Sequence, residues 1–398
     1  MRQITRDKPA DLDWIQKKGL LAVKLAQIFA LRPDIIGVKK CEQLQLLYEQ
    51  AAVIPQEDVN AIIKKMATPE FHENISEFSQ EPLASASVGQ VHLGKLKSGE
   101  TVAIKVIKYD HKSSFKKDIK KMRRWLRFAI MFSPKLRKVG NPLALLAHVE
   151  DYTLRELDLM NEVKGAEQLM EIKNNLKTKF PMPLLKVPKY WKRLSNENIL
   201  VSEFIEGDTL RKRIDKKNIS WDEMLQLFRI HGAYMFGVGT FHGDLHPGNC
   251  IIDKDGKFVF IDNSAICDAP KHVSNALFGF FNYLSASEKN KAYDALLTMS
   301  EKATKDDKKE YYREMEKIYD GFEQRSVGEI SLTRIMMQTV KAAVIKAKAD
   351  FGEKSFPIIR SLMYMDGMVV RTHPKKKLIL EMGPYLKEFE SIIKKEDD

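Results

Sequence analysis

Two segments of strict alternation, "ASVGQVHLGKL" and "TVAIKVI", stand on either side of a four-residue "KSGE". A period of two across a short Gly-containing connection predicts a pair of antiparallel strands, and it confines any sheet-based core to that part of the chain. Most of the rest has helical spacing. Residues 11–66 read as helices through "LLAVKLAQIFAL", with a stop at "RPD" and a new start at "PQED". Helical periodicity returns over 114–132 and 142–173. A strand "NILVSEFI" follows, then a hairpin "NCIIDKDGKFVFID" that turns at Asp255-Gly256. A small sheet followed by a larger helical part predicts an α+β, two-lobed design with its chemistry at the junction. The expected divisions are 1–76, a helical extension; 77–205, a small lobe; and 206–398, a large, mostly helical lobe.

The chain has 398 residues, 44% of them hydrophobic, enough for a large core. No run approaches eighteen consecutive apolar residues, so no spanning helix is expected. The opening "MRQITRDKPADLDW" has no apolar secretory core, and three cysteines (Cys41, Cys250, Cys267) form no CxxC pair. Both point to a cytoplasmic protein with reduced thiols. Between Lys105 and Lys138 there are thirteen Lys or Arg and two Asp, a surplus of eleven in a chain whose net charge is +12. The charge is a local patch that invites an anionic surface.

Four polar residues, in three segments, interrupt apolar strands or loops. Lys105 lies in "VAIK", where alone it signals little more than a lysine reaching solvent. In "HGDLHPGN", Asp244 and Asn249 keep the five-residue spacing of a kinase catalytic loop. Asp262 follows the apolar "FI" directly, where a carboxylate is costly unless it meets a cation. The order of lysine strand, acidic helix, Asp…Asn loop, hairpin and Asp fits nucleotide-dependent phosphoryl transfer.

With these residues in view, the chain resembles the UbiB/AarF-domain family of atypical, protein-kinase-like proteins over nearly its whole length. "KLAQIFALRPDII" is similar to that family's KxGQ signature, which picks out Lys24 and Gln27. "PLASASVGQVH" is similar to the Ala-rich loop, with Ala84, Ser85 and Ala86, that stands in place of a Gly-rich loop. "RELDLMNE" resembles the ExD helix, giving Glu156 and Asp158, with Glu162 in the position of the ion-pair partner of Lys105. The resemblance implies a protein-kinase-like fold that uses ATP or ADP with Mg2+. Lys105 would hold the α- and β-phosphates, oriented by Glu162. Asn249 and Asp262 would bind magnesium through oxygen, and Asp244 would orient or deprotonate the acceptor. Backbone groups of Glu203 and Ile205 would grip adenine. Lys24, Gln27, Glu156 and Asp158 would be regulatory, the KxGQ segment packing over the cleft where a protein kinase docks its peptide.

Two departures matter. Ala26 stands where the family has Gly, which a helix tolerates. "DNS" replaces DFG, so Asp262 persists, while Asn263 and Ser264 put in/out switching in doubt. On a single helix, Asp158 and Glu162 would share a face and Glu156 would point away, at about 100° per residue. His242 and His246 read as structural hydrogen-bonders of the loop, and Cys250 and Cys267 as core thiols.

In "FKKDIKKMRRWLRFAIMF" the residues Phe115, Ile119, Met122, Leu126 and Ala129 make one stripe, with Trp125 at its edge and Lys and Arg opposite. That pattern suits a helix lying in a membrane interface, and equally a packed helix with a solvated basic back. No aromatic-interleaved platform accompanies the charge, so no nucleic acid is expected. The function expected is therefore an atypical kinase or ATPase supporting lipid or isoprenoid-quinone metabolism, peripheral on an anionic membrane and working with lipid- or quinone-pathway proteins. Two other readings stand beside it: a small-molecule phosphotransferase of the aminoglycoside or choline kinase type, and a nucleotide-binding pseudokinase scaffold.

Overall fold

The computed structural model describes residues 9–30, 36, 38–45, 47, 53–86, 88–108, 111–132, 142–330, 332–352 and 356–393. The "RPD" stop and the last three basic residues of the charged patch lie outside them. The chain forms two compact units. The first comprises Met1–Ala166, Pro188–Ile205 and Asp262–Ala265; the second comprises Glu167–Val187, Glu206–Ile261 and Ile266–Asp398.

The first unit is built on four antiparallel strands in the order β1-β2-β3-β5: β1 (Ile75–Ser85), β2 (Gly89–Leu96), β3 (Thr101–Ile107) and β5 (Ile199–Glu203). Alternation along β3 explains its two faces. Val102, Ile104 and Val106 enter a core with Val59 of the helix Gln56–Met66, Phe71 and Val201. From the other face, Ile107 joins Leu159, Val163 and Leu200. β1 is a strand that the sequence pattern did not reveal, because its pairing with β2 slips at three places and breaks the period of two. N-terminal to the sheet, the helices Leu12–Lys17 and Leu20–Phe29 are separated by Gly19, whose φ of 91° suits only glycine well. The helix Leu20–Phe29 packs on the helices His111–Phe132 and Pro142–Glu156.

One expectation is corrected here, and one of the two readings of the basic helix's stripe is supported. The acidic helix is not continuous: it ends at Glu156 and restarts at Met160. Asp158 sits in the break and accepts the Met160 N–H at 3.1 Å, because a carboxylate that caps a new helix removes an orphan donor. Glu156, Asp158 and Glu162 therefore share no helical face. In the basic helix His111–Phe132, the forecast stripe is the packed side: Phe115 and Ile119 are buried. Trp125, Phe128 and Met131 are instead exposed (57%, 61% and 62%) and interleave with Lys120, Lys121, Arg124 and Arg127.

The second unit carries two small sheets. β4 (Leu185–Lys186), β9 (Phe258–Phe260), β8 (Cys250–Asp253) and β6 (Gly207–Thr209) lie in that order, and β7 (Thr240–His242) pairs with β10 (Ile266–Asp268). Gly207 is required at its place: a Cβ there would lie 2.2 Å from the Ile252 carbonyl oxygen. The β8–β9 hairpin turns through Gly256 at φ 75°. Around it, helices share one large core through Phe228, Phe236, Phe260, Tyr293 and Phe389. The helix Trp221–Gly232 starts with a capping box, Ser220 with Glu223, and runs on as a π-helical segment, Ala233–Val238.

Candidate functional site

In the first unit, β3 sets the Lys105 side chain on the face away from the Val102–Val106 core. Its Nζ lies 3.0 Å from Glu162 Oε2 and 3.2 Å from Asp262 Oδ1. The break at Asp158 restarts the helix so that Glu162 falls in its first turn. Glu162 Oε1 also accepts the backbone N–H of Asp262 at 3.1 Å, so this one carboxylate holds both the lysine and the loop. Burial works against the charged ammonium of Lys105, but the Asp262 and Glu162 carboxylates outweigh it and hold the group above the ordinary lysine value. Burial raises Glu162 above the carboxylate range despite Lys105.

Asp262 has φ 54°, in the left-handed region, and Ser264 Oγ donates to its Oδ1 at 3.2 Å. Asp tolerates that conformation better than most residues, and a strained backbone held by its surroundings often marks a working position. With its side chain 28% exposed, against 8% for Glu162 and 13% for Lys105, Asp262 offers the accessible carboxylate of the cluster. Asn263 is fully buried, with its amide near the Tyr190 hydroxyl at 3.4 Å.

Lys24 forms a buried ion pair with Glu156 and lies over the Tyr152 ring. Burial pushes the Glu156 carboxyl up, Lys24 opposes this, and the Asp262 charge adds to it. Two ammoniums, Lys24 and Lys105, thus share one electrostatic neighbourhood with three carboxylates, one acid more than bases. Gln27 serves the extension itself, donating to the Leu47 carbonyl at 3.0 Å.

At the Ala-rich loop, Ala84 and Ser85 end β1, and the Ala86 N–H donates to the Gly89 carbonyl at 2.8 Å. Sequence reasoning missed Lys108, whose Nζ donates to Ser85 Oγ at 2.5 Å and the Ala86 carbonyl at 2.8 Å. Burial lowers its pKa to about 8. A lysine three residues past Lys105, just beyond an apolar strand, was the available signal. The Glu203 N–H donates to the Lys189 carbonyl at 2.8 Å, and Ile205 is buried.

In the second unit, β7 leads into the loop that carries Asp244 and Asn249. The Asn249 amide nitrogen donates to the Asp244 carbonyl at 3.0 Å, which orients the side chain whose oxygen a metal would take. The Ile261 N–H donates to the Asn249 carbonyl at 3.0 Å, and Asp262 is the next residue in the chain. Both histidines make loop hydrogen bonds: His242 Nδ1 accepts from the Asp244 N–H, its Nε2 bonds the Ile261 carbonyl, and His246 Nδ1 accepts from Gly248. Two further residues on the helix Phe356–Thr372 escaped sequence reasoning. Tyr364 donates to Asp244 Oδ1 at 2.8 Å, and Arg360 Nε donates to the Gly243 carbonyl at 2.8 Å. Their four-residue spacing in an apolar helix was the clue. Among the described residues no group of three or more His, Cys, Asp or Glu converges as a metal cluster. Magnesium bound with a nucleotide needs only one or two protein oxygens.

The sequence pattern of the ABC1 atypical kinase-like domain matches residues 46–296. The chain belongs to this family. A probable protein kinase UbiB of Aliivibrio fischeri (strain MJ11) is 24% identical over 384 residues, covering 94% of this chain and 68% of that relative. A probable protein kinase UbiB of Pseudomonas paraeruginosa is 31% identical over 245 residues, 60% of this chain and 44% of the relative. An uncharacterized Synechocystis protein is 23% identical over 374 residues, 92% of this chain and 65% of the relative. Curated relatives are thus longer than the part this chain spans. Among solved structures, a Mycobacterium tuberculosis protein in complex with erythromycin superposes with a TM-score of 0.57 at 21% identity, covering 94% of each chain. The ABC1 chain described here accordingly has a kinase-like α+β fold.

Proposed function

We propose that this ABC1-family protein is an ATP-binding atypical kinase or ATPase of the UbiB type, acting in lipid or isoprenoid-quinone metabolism at an anionic membrane surface. The observation that carries this reading is the Lys105 ammonium held 3.0 and 3.2 Å from the Glu162 and Asp262 carboxylates. A permanently charged lysine, pre-oriented by two acids, is what α- and β-phosphate oxygens need.

Asp262 and Asn249 are the oxygen donors assigned to magnesium. Both fit, since one carboxylate is accessible and the other side chain is oriented through its nitrogen. Magnesium bound with nucleotide supplies charge neutralisation at the phosphates. Tyr364 and Arg360 hold the Asp244 carboxylate, which suits orienting an acceptor hydroxyl or water more than stripping its proton. The backbone of Glu203 and Ile205 is assigned to adenine by the resemblance, and the Glu203 N–H already donates to the Lys189 carbonyl. The Lys24–Glu156 pair fastens the N-terminal helices within the electrostatic reach of Asp262, an arrangement that would keep protein substrates from being phosphorylated in trans. Membrane recruitment rests on the exposed face of the basic helix, where Trp125, Phe128 and Met131 sit among lysines and arginines.

The test is phosphate release from Mg-ATP by the full chain, with and without anionic liposomes. Magnesium-dependent turnover that liposomes raise is expected. Absence of nucleotide binding would overturn the reading. Tight binding with no turnover against lipids, phenols or aminoglycosides would select the pseudokinase scaffold, and turnover confined to an aminoglycoside would select the small-molecule phosphotransferase.

A further inference from the structure

The second unit contains a cavity of about 80 Å³ that phosphoryl chemistry does not use. It lies among the helices Trp221–Gly232, Lys271–Ser285, Leu332–Lys346 and Phe356–Thr372, and the π-helical segment forms part of its wall through Met235. Single-turn π segments inside helices recur at functional positions. Five methionines line it: Met224, Met235, Met336, Met365 and Met382. Unbranched, polarisable side chains of this kind re-pack around ligands of different shape. A second cavity of about 40 Å³ shares the wall made by Phe280, Phe281, Met336 and Leu362, so moving one or two side chains would join the two spaces.

Besides Asp366 and Tyr319, two polar residues interrupt the hydrocarbon lining. His231 is 1% exposed; its Nε2 meets the Ser361 hydroxyl, while its Nδ1 has no hydrogen-bond partner among the described residues. The indole N–H of Trp221 is likewise buried without a partner among them. Buried polar groups are normally satisfied, and each that is not costs about 1–3 kcal/mol. Burial takes the His231 pKa down to about 3, so the ring is neutral at physiological pH. No lysine or arginine lines the cavity, and Asp366 is its only acidic residue.

We propose that this cavity binds a neutral hydrocarbon that carries a single hydroxyl group, its chain among the methionines and its oxygen against the Trp221 indole N–H. A hydroxyl suits both atoms: it accepts from the indole N–H, and it donates to or accepts from Nδ1 in either tautomer. An anion is disfavoured, since the walls present one carboxylate and no cation. A primary ammonium would have to take Asp366, the one carboxylate of the lining, from the partner it already has, and would otherwise meet a neutral imidazole and a donor-only indole. The empty space is smaller than the 150 Å³ hole that takes benzene in an engineered protein, so ligand entry requires the methionines to move.

The test uses the full chain with [13C]methyl-methionine, titrated with 1-hexanol, hexanoate and hexylamine. Saturable methyl shifts at the five lining methionines with 1-hexanol alone are expected, assigned through single Met→Leu variants. Trp221→Phe, which keeps the ring and removes the N–H, should weaken 1-hexanol about five-fold, the effect of one hydrogen bond. Met336→Trp should fill the space and abolish the shifts. Equal shifts from hexanoate, shifts spread over methionines elsewhere in the chain, no saturable response to 1-hexanol, or unchanged affinity in Trp221→Phe would each overturn the proposal. The Trp221→Phe comparison stands even if the filled variant does not fold.

Discussion

Replacing Lys24 by methionine tests how the N-terminal helices are held. The side chains of Lys24 and Glu156 are 5% and 10% exposed. Removing one member of a buried pair leaves the other charge uncompensated and costs about 3–5 kcal/mol. Lys24 is the main influence holding the Glu156 carboxyl down, whereas burial and then Asp262 push it up. In Lys24→Met only the Tyr152 hydrogen bond still opposes the upward influences, and the carboxyl escapes by taking a proton. A carboxyl whose folded pKa lies above its unfolded value binds its proton more tightly in the native state. Folding therefore weakens as pH rises from the ordinary carboxylate range through the raised value. The cost should be large at pH 8 and much smaller at pH 5.

Hydrogen exchange across Leu20–Phe29 reads this locally, where a single global unfolding energy would blur two units. At about 1.4 kcal/mol per factor of ten, the pH 8 loss corresponds to exchange faster by about a hundred- to a few-thousand-fold. Lys24→Met/Glu156→Met should recover most of the protection, because an apolar pair of similar volume leaves no buried charge. If the single variant loses the same protection at both pH values, or the double variant is no better than the single, Glu156 is not the uncompensated charge and the argument fails.

Asp262→Asn should lose Mg-ADP affinity by at least ten-fold in calorimetric titration; wild-type affinity would place the metal ligand elsewhere. Ala84→Gly should change ATP or ADP affinity by several-fold, since removing the Cβ lets loop N–H groups approach the phosphates, and unchanged affinity for both would take the loop away from them. Tyr364→Phe removes a hydrogen bond to a buried carboxylate and should destabilise the second unit by about 1.5–3 kcal/mol in urea. Neutralising Lys116, Lys117, Lys120, Lys121 and Arg124 should abolish salt-sensitive sedimentation with anionic liposomes and spare nucleotide binding; Arg123 is left alone because it pairs with Glu150.

Much of this architecture was legible as periodicity. β2, β3, the β8–β9 hairpin and the helix starting after Pro55 were visible because apolar spacing and turn residues agreed locally. The acidic helix misled because "YTLRELDLMNEV" keeps its helical period across the break, and only the carboxylate of Asp158 capping the next turn shows that the backbone has stopped and restarted. Asp244 and Asn249 were found by their spacing, but the residues that hold Asp244 come from more than a hundred positions downstream, where a tyrosine and an arginine look like ordinary helix residues. Lys108 hid immediately after the strand that carries Lys105. The basic helix showed its charge in the sequence but not its orientation, since either face of an amphipathic helix can be the packed one when both carry large apolar residues.

The four-residue excursion of Asp262–Ala265 into the first unit has a consequence for synthesis. The N–H of Asp262 bonds a carboxylate exactly one hundred positions earlier, so the Lys105–Glu162 pair emerges from the ribosome long before its third member. At about 5–20 residues per second, the Lys105–Glu162 pair waits about 5–20 s with one carboxylate missing from the cluster. During that interval the strands of the first unit are held by their own pairing and by the apolar clusters on the two faces of β3, and the loop after β9 arrives as the last stitch.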